Sequence, residues 1–102
     1  MAFGWDDAKN RANLETNGLS FEEASLIFDG PVLSARDDRF AYRKERWITV
    51  GAIADIVVIV VVHTDRKGVT RLISARLANR KERQRYYEHL AKPRAGSGTA
   101  ER

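Results

Sequence analysis

The chain of 102 residues has no cysteine. That removes disulfides, zinc–thiolate sites and thiol nucleophiles from its chemistry. Histidine is scarce, with His63 and His89 only, and neither sits in a carboxylate cluster. No metal-ligand spacing, P-loop, dinucleotide fingerprint or Ser-His-Asp layout occurs, so neither a metal nor a cofactor is expected. The longest apolar run, "IVVIVVV" at 56–62, falls far short of the ~20 residues of a membrane-spanning helix. The start, "MAFGWDDAKN", is acidic and lacks the basic-then-apolar layout of a secretory signal. These absences describe a cytoplasmic protein with no membrane contact.

What is present is charge, unevenly placed. Residues 1–38 carry eight acidic and three basic side chains, whereas residues 66–102 carry three acidic and eleven basic ones. An acidic block joined to a basic one gives the molecule a directional field and suits the basic end to a polyanion or an acidic protein partner. With 43% hydrophobic residues the chain can build a core, although a modest one at this length.

The pattern predicts an α+β domain over 1–92, with two N-terminal helices, an antiparallel sheet of three to four strands and a C-terminal helix. Residues 6–17 form the first helix, with Asp6 as cap and Asn17-Gly18 as the left-handed stop. In "SFEEASLIFDG", Ser20 and Glu23 have capping-box spacing, and Phe21, Ala24, Ile27 and Phe28 share a face. Strands are expected at 32–36, 46–53, 56–62 and 69–76. The third is apolar on both faces, as a central strand should be. Turns fall at Ala54-Asp55 and around Lys67-Gly68. The last helix starts after the cap Asn79 and ends near Leu90, and one of Tyr86 and Tyr87 belongs to the core. Residues 37–45 read as a polar loop. Residues 93–102, "PRAGSGTAER", read as a disordered tail.

The candidate chemistry lies between His63 and Arg85. Regular alternation along 69–76 puts Leu72, Ser74 and Arg76 on one side and Arg71, Ile73 and Ala75 on the other. Arg76 and Arg80 flank a helix start, whose backbone N–H groups favour an anion. Guanidinium groups grip phosphate with paired hydrogen bonds and keep their charge at any working pH. Each feature also has a plainer explanation. His63, ending an apolar strand, is more often a hydrogen-bonded edge residue than a catalyst. Arg80, Lys81, Arg83 and Arg85 suit the wet face of a helix with Glu82 and Glu88 as mates, and Trp47 reads as core.

"FGWDDAKNRANLETNGLSFEEASLIFD" resembles the opening of the BrnT toxin family, with Trp5-Asp6, Lys9, Asn13, Gly18, Phe21 and Ala24 at that family's spacing. "ERWITVG" (45–51) and "HTDRKGVTRLISARLANRKERQRYYE" (63–88) are similar to its second and third blocks, the latter through the run R-x-I-S-A-R-x-A-x-R-x-E-R. Lys44 and Leu77 depart from the family pattern at the edges of these blocks. The resemblance implies a RelE-like fold and the toxin of a type II toxin–antitoxin system. Such a toxin is a metal-independent endoribonuclease that halts translation when the ribose 2′-hydroxyl attacks the adjacent phosphate. Its partners would be RNA and a BrnA-type ribbon-helix-helix antitoxin, two toxins with an antitoxin dimer, touching operator DNA only through the antitoxin. Carried over by motif position, the catalytic candidates are His63, Arg71, Arg76, Arg80 and Lys9. Arg66, Lys67 and Arg83 would bind RNA, with Glu45 and Trp47 in support. The alternative is a non-catalytic nucleic-acid-binding or antitoxin-binding module.

Overall fold

Val58 and Val60 pack to one side of their strand while Ile59 and Val61 pack to the other, all at most 4% exposed. That strand is the middle of the molecule. The computed structural model describes residues 2–37 and 46–92. In order these form β1 (Ala2–Gly4), α1 (Asp7–Asn17), α2 (Phe21–Ala24) continued by a 3-10 turn (Ser25–Asp29), β2 (Val32–Arg36), β3 (Trp47–Ile53), β4 (Val57–Arg66), β5 (Val69–Leu77) and α3 (Arg80–Ala91). The strands make one sheet in the order β1-β5-β4-β3-β2. β1 runs parallel to β5 and every other pair is antiparallel.

The α+β class is as expected, but the sheet is mixed and has five strands where three to four were expected. The added strand, β1, is too short to show alternation, and its partner lies at the far end of the sequence. The second N-terminal helix is one α-turn running into the 3-10 turn rather than a full helix. Both expected caps are present there: Ser20 and Glu23 close a capping box, and Gly18 takes φ 73°. Both hairpins turn through left-handed residues, Ala54 and Asp55 at φ 53° and 60°, and Lys67 and Gly68 at φ 50° and 81°. Residues 38–45, which include Lys44, Glu45 and most of the expected polar loop, lie outside the described residues, as does the tail at 93–102. Among the described residues no helix is long and apolar enough to cross a membrane.

Two layers cover the sheet. On one face Leu19, Phe21, Ala24 and Ile27 pack on Ile59, Val61, Leu72 and Ala75. On the other, Tyr86 of α3 and Ala78 pack on Val50, Val58 and Val60, and the Tyr86 hydroxyl donates to the Pro31 carbonyl at 2.8 Å. Tyr87 stays 49% exposed, so the pair divides as its sequence position suggested. α1 contributes little apolar surface, and its one buried residue is Asn13.

Asn13 is buried for a reason. Its Nδ2 donates to the Leu19 and Ala75 carbonyls, both at 2.9 Å, and its Oδ1 accepts the Ala75 N–H at 3.1 Å. Asn17 Nδ2 adds bonds to Asn13 Oδ1 at 3.1 Å and to the Ala75 carbonyl at 3.0 Å. A side-chain amide thus stands where a neighbouring strand would otherwise pair with β5, since β1 reaches only Val69 to Arg71. Beside this clamp β5 carries a bulge. Val62 pairs with Ser74, but the next residue, His63, pairs with Leu72, leaving Ile73 unmatched.

Two stability predictions follow from this packing. A Cβ at Gly51 would sit 2.8 Å from the Ile27 Cβ and 3.1 Å from Val32 Cγ1. Gly51→Ala is therefore expected to cost ~1–3 kcal/mol by overpacking, read from urea unfolding. Asn13→Ala strands the Ala75 N–H and weakens the satisfaction of two buried carbonyls; a loss of about 2–4 kcal/mol is expected in the same titration, since each unsatisfied buried group costs ~1–3 kcal/mol. Hydrogen exchange at Ala75 should accelerate in that variant even under conditions where it stays folded.

Candidate functional site

The bulge decides which side chains share a face, because residues directly paired across β4 and β5 point the same way. Arg76 pairs with Val60, Ser74 with Val62 and Arg71 with Thr64. Val60 belongs to the α3-side core. Ala75 pairs with Val61 and Leu72 with His63, on the side of α1 and α2. The regular alternation expected from the sequence, which separated Arg71 from Ser74 and Arg76, is therefore overturned. The extra residue, Ile73, shifts the phase by one, so Arg71, Ser74 and Arg76 all face the α3 side. β4 alternation adds Arg66 at the hairpin to that face, beside the exposed Lys67.

α3 supplies the rest of the cationic surface. Asn79 caps it, accepting from the Glu82 N–H at 2.8 Å, while Glu82 Oε1 accepts the Asn79 N–H at 2.8 Å. The first turn presents Arg80 and Arg83, both exposed, and Arg83 Nη1 donates to the Ala78 carbonyl at 2.9 Å. Across this junction Arg76 meets Glu82 fork to fork, Nη1 to Oε1 at 2.8 Å and Nη2 to Oε2 at 2.7 Å. The hydrogen bonds from Arg76, and then the Asn79 N–H, hold the Glu82 carboxyl down to about 2 from its usual 4.5. Glu82 is thus fully ionised near neutral pH, and Arg76 is a paired cation rather than an isolated one.

His63 lies elsewhere. It is 4% exposed, on the face opposite the arginines, with its ring edge-on to Phe28 at 5.2 Å between centroids. Nδ1 stands 2.9 Å from Asp65 Oδ1, Nε2 stands 2.7 Å from Thr49 Oγ1, and Thr49 Oγ1 stands 2.8 Å from Ser34 Oγ. The tautomer with its proton on Nδ1 donates to the carboxylate and leaves Nε2 to accept the Thr49 hydroxyl, whose oxygen is then free to accept from Ser34. The result is a polar chain across β2, β3 and β4, with both ring nitrogens engaged.

Lys9 occupies a third place. It lines an open groove with Ala12, Asn13, Thr16, Asn17 and the bulged Ile73. Asp6 links this groove to the arginine strand. Its carboxyl is held below the usual range first by the Lys9 backbone N–H and further by the charges of Lys9 and Arg71. Trp47, half-buried, pairs with His63 across β3 and β4. Glu45 lies outside the described residues.

The sequence candidates therefore divide. Arg66, Arg71 and Arg76 share the α3-side face of the sheet, spread along β4 and β5, and Arg80 and Arg83 are exposed in the first turn of α3; His63 is on the opposite face, and Lys9 sits at the β5 edge. Sequence reasoning missed the part played by Glu82, although the spacing from Asn79 is that of a capping box. It also missed the Ser34–Thr49–His63–Asp65 chain, for which alternation on neighbouring strands was the available signal. Among the described residues no group of three or more His, Asp or Glu side chains is placed to hold a metal ion.

The comparisons agree with this architecture. The family described as "Ribonuclease toxin, BrnT, of type II toxin-antitoxin system" matches residues 5–82. The fold is similar to the 1.1 Å crystal structure of the Brucella abortus ribonuclease toxin BrnT, with a TM-score of 0.59 and 22% identity, covering 78% of this chain and 99% of that one. Among curated proteins none matches. The matched span takes in the Asn13 clamp, the bulged strand and the capping box of α3, and on that match the chain belongs to the BrnT family of ribonuclease toxins of type II toxin–antitoxin systems.

Proposed function

We propose that this chain cleaves RNA without a metal ion, using the arginine face of the sheet and the start of α3 as its substrate surface. The observation that supports the reading is the phase shift at Ile73, which puts Arg71 and Arg76 on one face with Arg66, the face on which α3, with Arg80 and Arg83 in its first turn, packs. In the reaction the ribose 2′-hydroxyl attacks the adjacent phosphate and the bond to the 5′-oxygen breaks. Charge grows on the non-bridging oxygens, and guanidinium groups placed around them oppose that growth, Arg76 being held in place by Glu82. Arg71, Arg76 and Arg80 take this role, while Arg66, Lys67 and Arg83 follow the neighbouring backbone phosphates. DNA lacks the attacking hydroxyl, so the substrate is RNA. Cutting messages would halt translation.

In this reading His63 has a different part from the one its motif position suggested, a reading supported by its burial and its bonds to Asp65 and Thr49. Proton transfer on the arginine face would require the ring to leave Asp65 and Thr49 and cross the sheet. It holds three strands in register instead. Lys9, at the β5 edge within the field of Asp6 and Arg71, is the candidate proton donor.

A type II family implies an antitoxin partner. Its type here would be the BrnA-type ribbon-helix-helix protein, a dimer holding two toxins, covering the basic face and carrying the pair to operator DNA. One observation favours the non-catalytic alternative: with Arg76 paired and His63 enclosed, the surface is better equipped to bind phosphate than to move protons.

Cleavage of a defined RNA separates the two. The parent should cut with EDTA present, and Arg71→Ala and Arg80→Ala should each lose on the order of 10²-fold in rate, the scale of one transition-state donor. Binding without cutting would replace this reading with the alternative; loss of cutting in EDTA would overturn metal independence. RNA affinity should also fall steeply, about 10³-fold or more between 50 and 200 mM salt if six or more phosphates are contacted. An affinity that ignores salt would remove the arginine face from the interface.

A further inference from the structure

Glu82 is a carboxylate set among arginines, where simple attraction to RNA would disfavour it. Its bonding is too complete for a passing surface mate. Both oxygens take the Arg76 fork, Oε1 also takes the Asn79 N–H, and the Glu82 N–H returns to Asn79 Oδ1, all between 2.7 and 2.8 Å. Arg76 Nη1 makes a further, longer bond to the Leu77 carbonyl at 3.3 Å. One side chain thereby ties the guanidinium on β5 to the first turn of α3, the turn that carries Arg80 and Arg83.

We propose that Glu82 is a positioning residue, which fixes the Arg76 guanidinium and the Arg80 turn relative to each other so that both meet one phosphate in a set geometry. The proposal rests on the reading of this face as the RNA surface. An arginine side chain otherwise samples many rotamers, and a planar fork held by a planar carboxylate removes most of that freedom. The ionised carboxylate has an opposite effect on binding, because it offsets one positive charge of the face. Glu82 therefore trades ground-state attraction for orientation. A purely structural residue would make no such trade, since its loss would harm binding and turnover together.

That difference makes the test specific. Glu82→Gln removes the charge but keeps a side-chain oxygen for the Asn79 N–H, so the capping box survives. Glu82→Asp keeps the charge on a side chain one methylene shorter. Single-turnover cleavage of a defined RNA is measured for the parent, both variants, Arg76→Ala and Arg76→Ala/Glu82→Gln, with thermal unfolding run alongside. Glu82→Gln should bind RNA at least as tightly as the parent yet cut about tenfold or more slowly, the scale of a lost positioning contact. The double variant should be no slower than Arg76→Ala alone, because Glu82 acts through that residue. Glu82→Asp should recover part of the lost rate, and it carries the comparison should Glu82→Gln fail to fold.

Losses that multiply in the double variant would overturn the proposal, as would weaker RNA binding by a folded Glu82→Gln. A parent that leaves RNA intact removes the functional reading and this inference with it. A parent that cuts while Glu82→Gln cuts equally well removes this inference alone.

Discussion

A single side-chain amide pairing with the edge of a strand is what the rest of this molecule depends on. Asn13 satisfies both backbone groups of Ala75 where β1 no longer reaches, and the bulge at Ile73 lies two residues away. A bulge leaves one residue without a partner and bends its strand, so it persists only when something fixes the strand on either side of it. Here the parallel pairing of Ala2–Gly4 with Val69–Arg71 holds one side and the Asn13–Asn17 pair holds the other. The consequence is chemical. Positions 71 and 76 are an odd number apart and would face opposite ways in a regular strand, yet both point to the α3 side. α1 thus supports the bulged strand from behind the sheet, by side-chain contacts to its backbone at Ala75.

The two faces divide the polar groups by task. On the α1 and α2 side, the chain from Asp65 through His63 and Thr49 to Ser34 sits beside apolar packing, and each buried member has a partner. An unsatisfied group there would cost ~1–3 kcal/mol, while a satisfied one specifies which residues stand opposite one another. On the α3 side the charged groups are mostly exposed cations, with the carboxylate of Glu82 among them. Repulsion between two of them ~4 Å apart in water is only about 1 kcal/mol, which a folded sheet tolerates.

The parts of this design written in local pattern could be read from the sequence. The double-faced "IVVIVVV" predicted the central strand, Asp6 and Gly18 bounded α1, and Ser20-x-x-Glu23 opened the turn that buries Phe21 and Ile27. What could not be read depended on tertiary pairing. β1 is three residues long and finds its partner 67 residues away, between Ala2 and Val69. Nothing in "RLISAR" announces an unmatched Ile73, because the sequence has no glycine or proline there and the force that holds the bulge comes from α1. One phase error therefore moved Arg71 to the wrong face. His63 shows the converse. Its family position suggested chemistry, but the Thr49 and Asp65 partners that enclose it lie on other positions of the sheet and are recognisable only when β3 is laid beside β4.

The position of Glu82 bears on why the surface is built from arginine at all. A lysine at 76 would be a point charge that a single carboxylate oxygen could hold in many orientations. The guanidinium instead meets both oxygens in one plane, and the carboxylate is itself fixed by the Asn79 amide at the helix start. Orientation then passes from the helix cap to the carboxylate and from there to the guanidinium on β5. A capping box, ordinarily a device for ending backbone polarity neatly, becomes the joint between the strand that carries Arg76 and the helix that carries Arg80 and Arg83. Because that joint is made of charge-assisted hydrogen bonds and not of apolar packing, it can stay rigid at the solvent edge, where α3 itself buries only Tyr86. The thin core under α3 and the dense bonding at its start are therefore two sides of one arrangement: Tyr86 anchors the helix to the sheet, and polar contacts fix its first turn to β5.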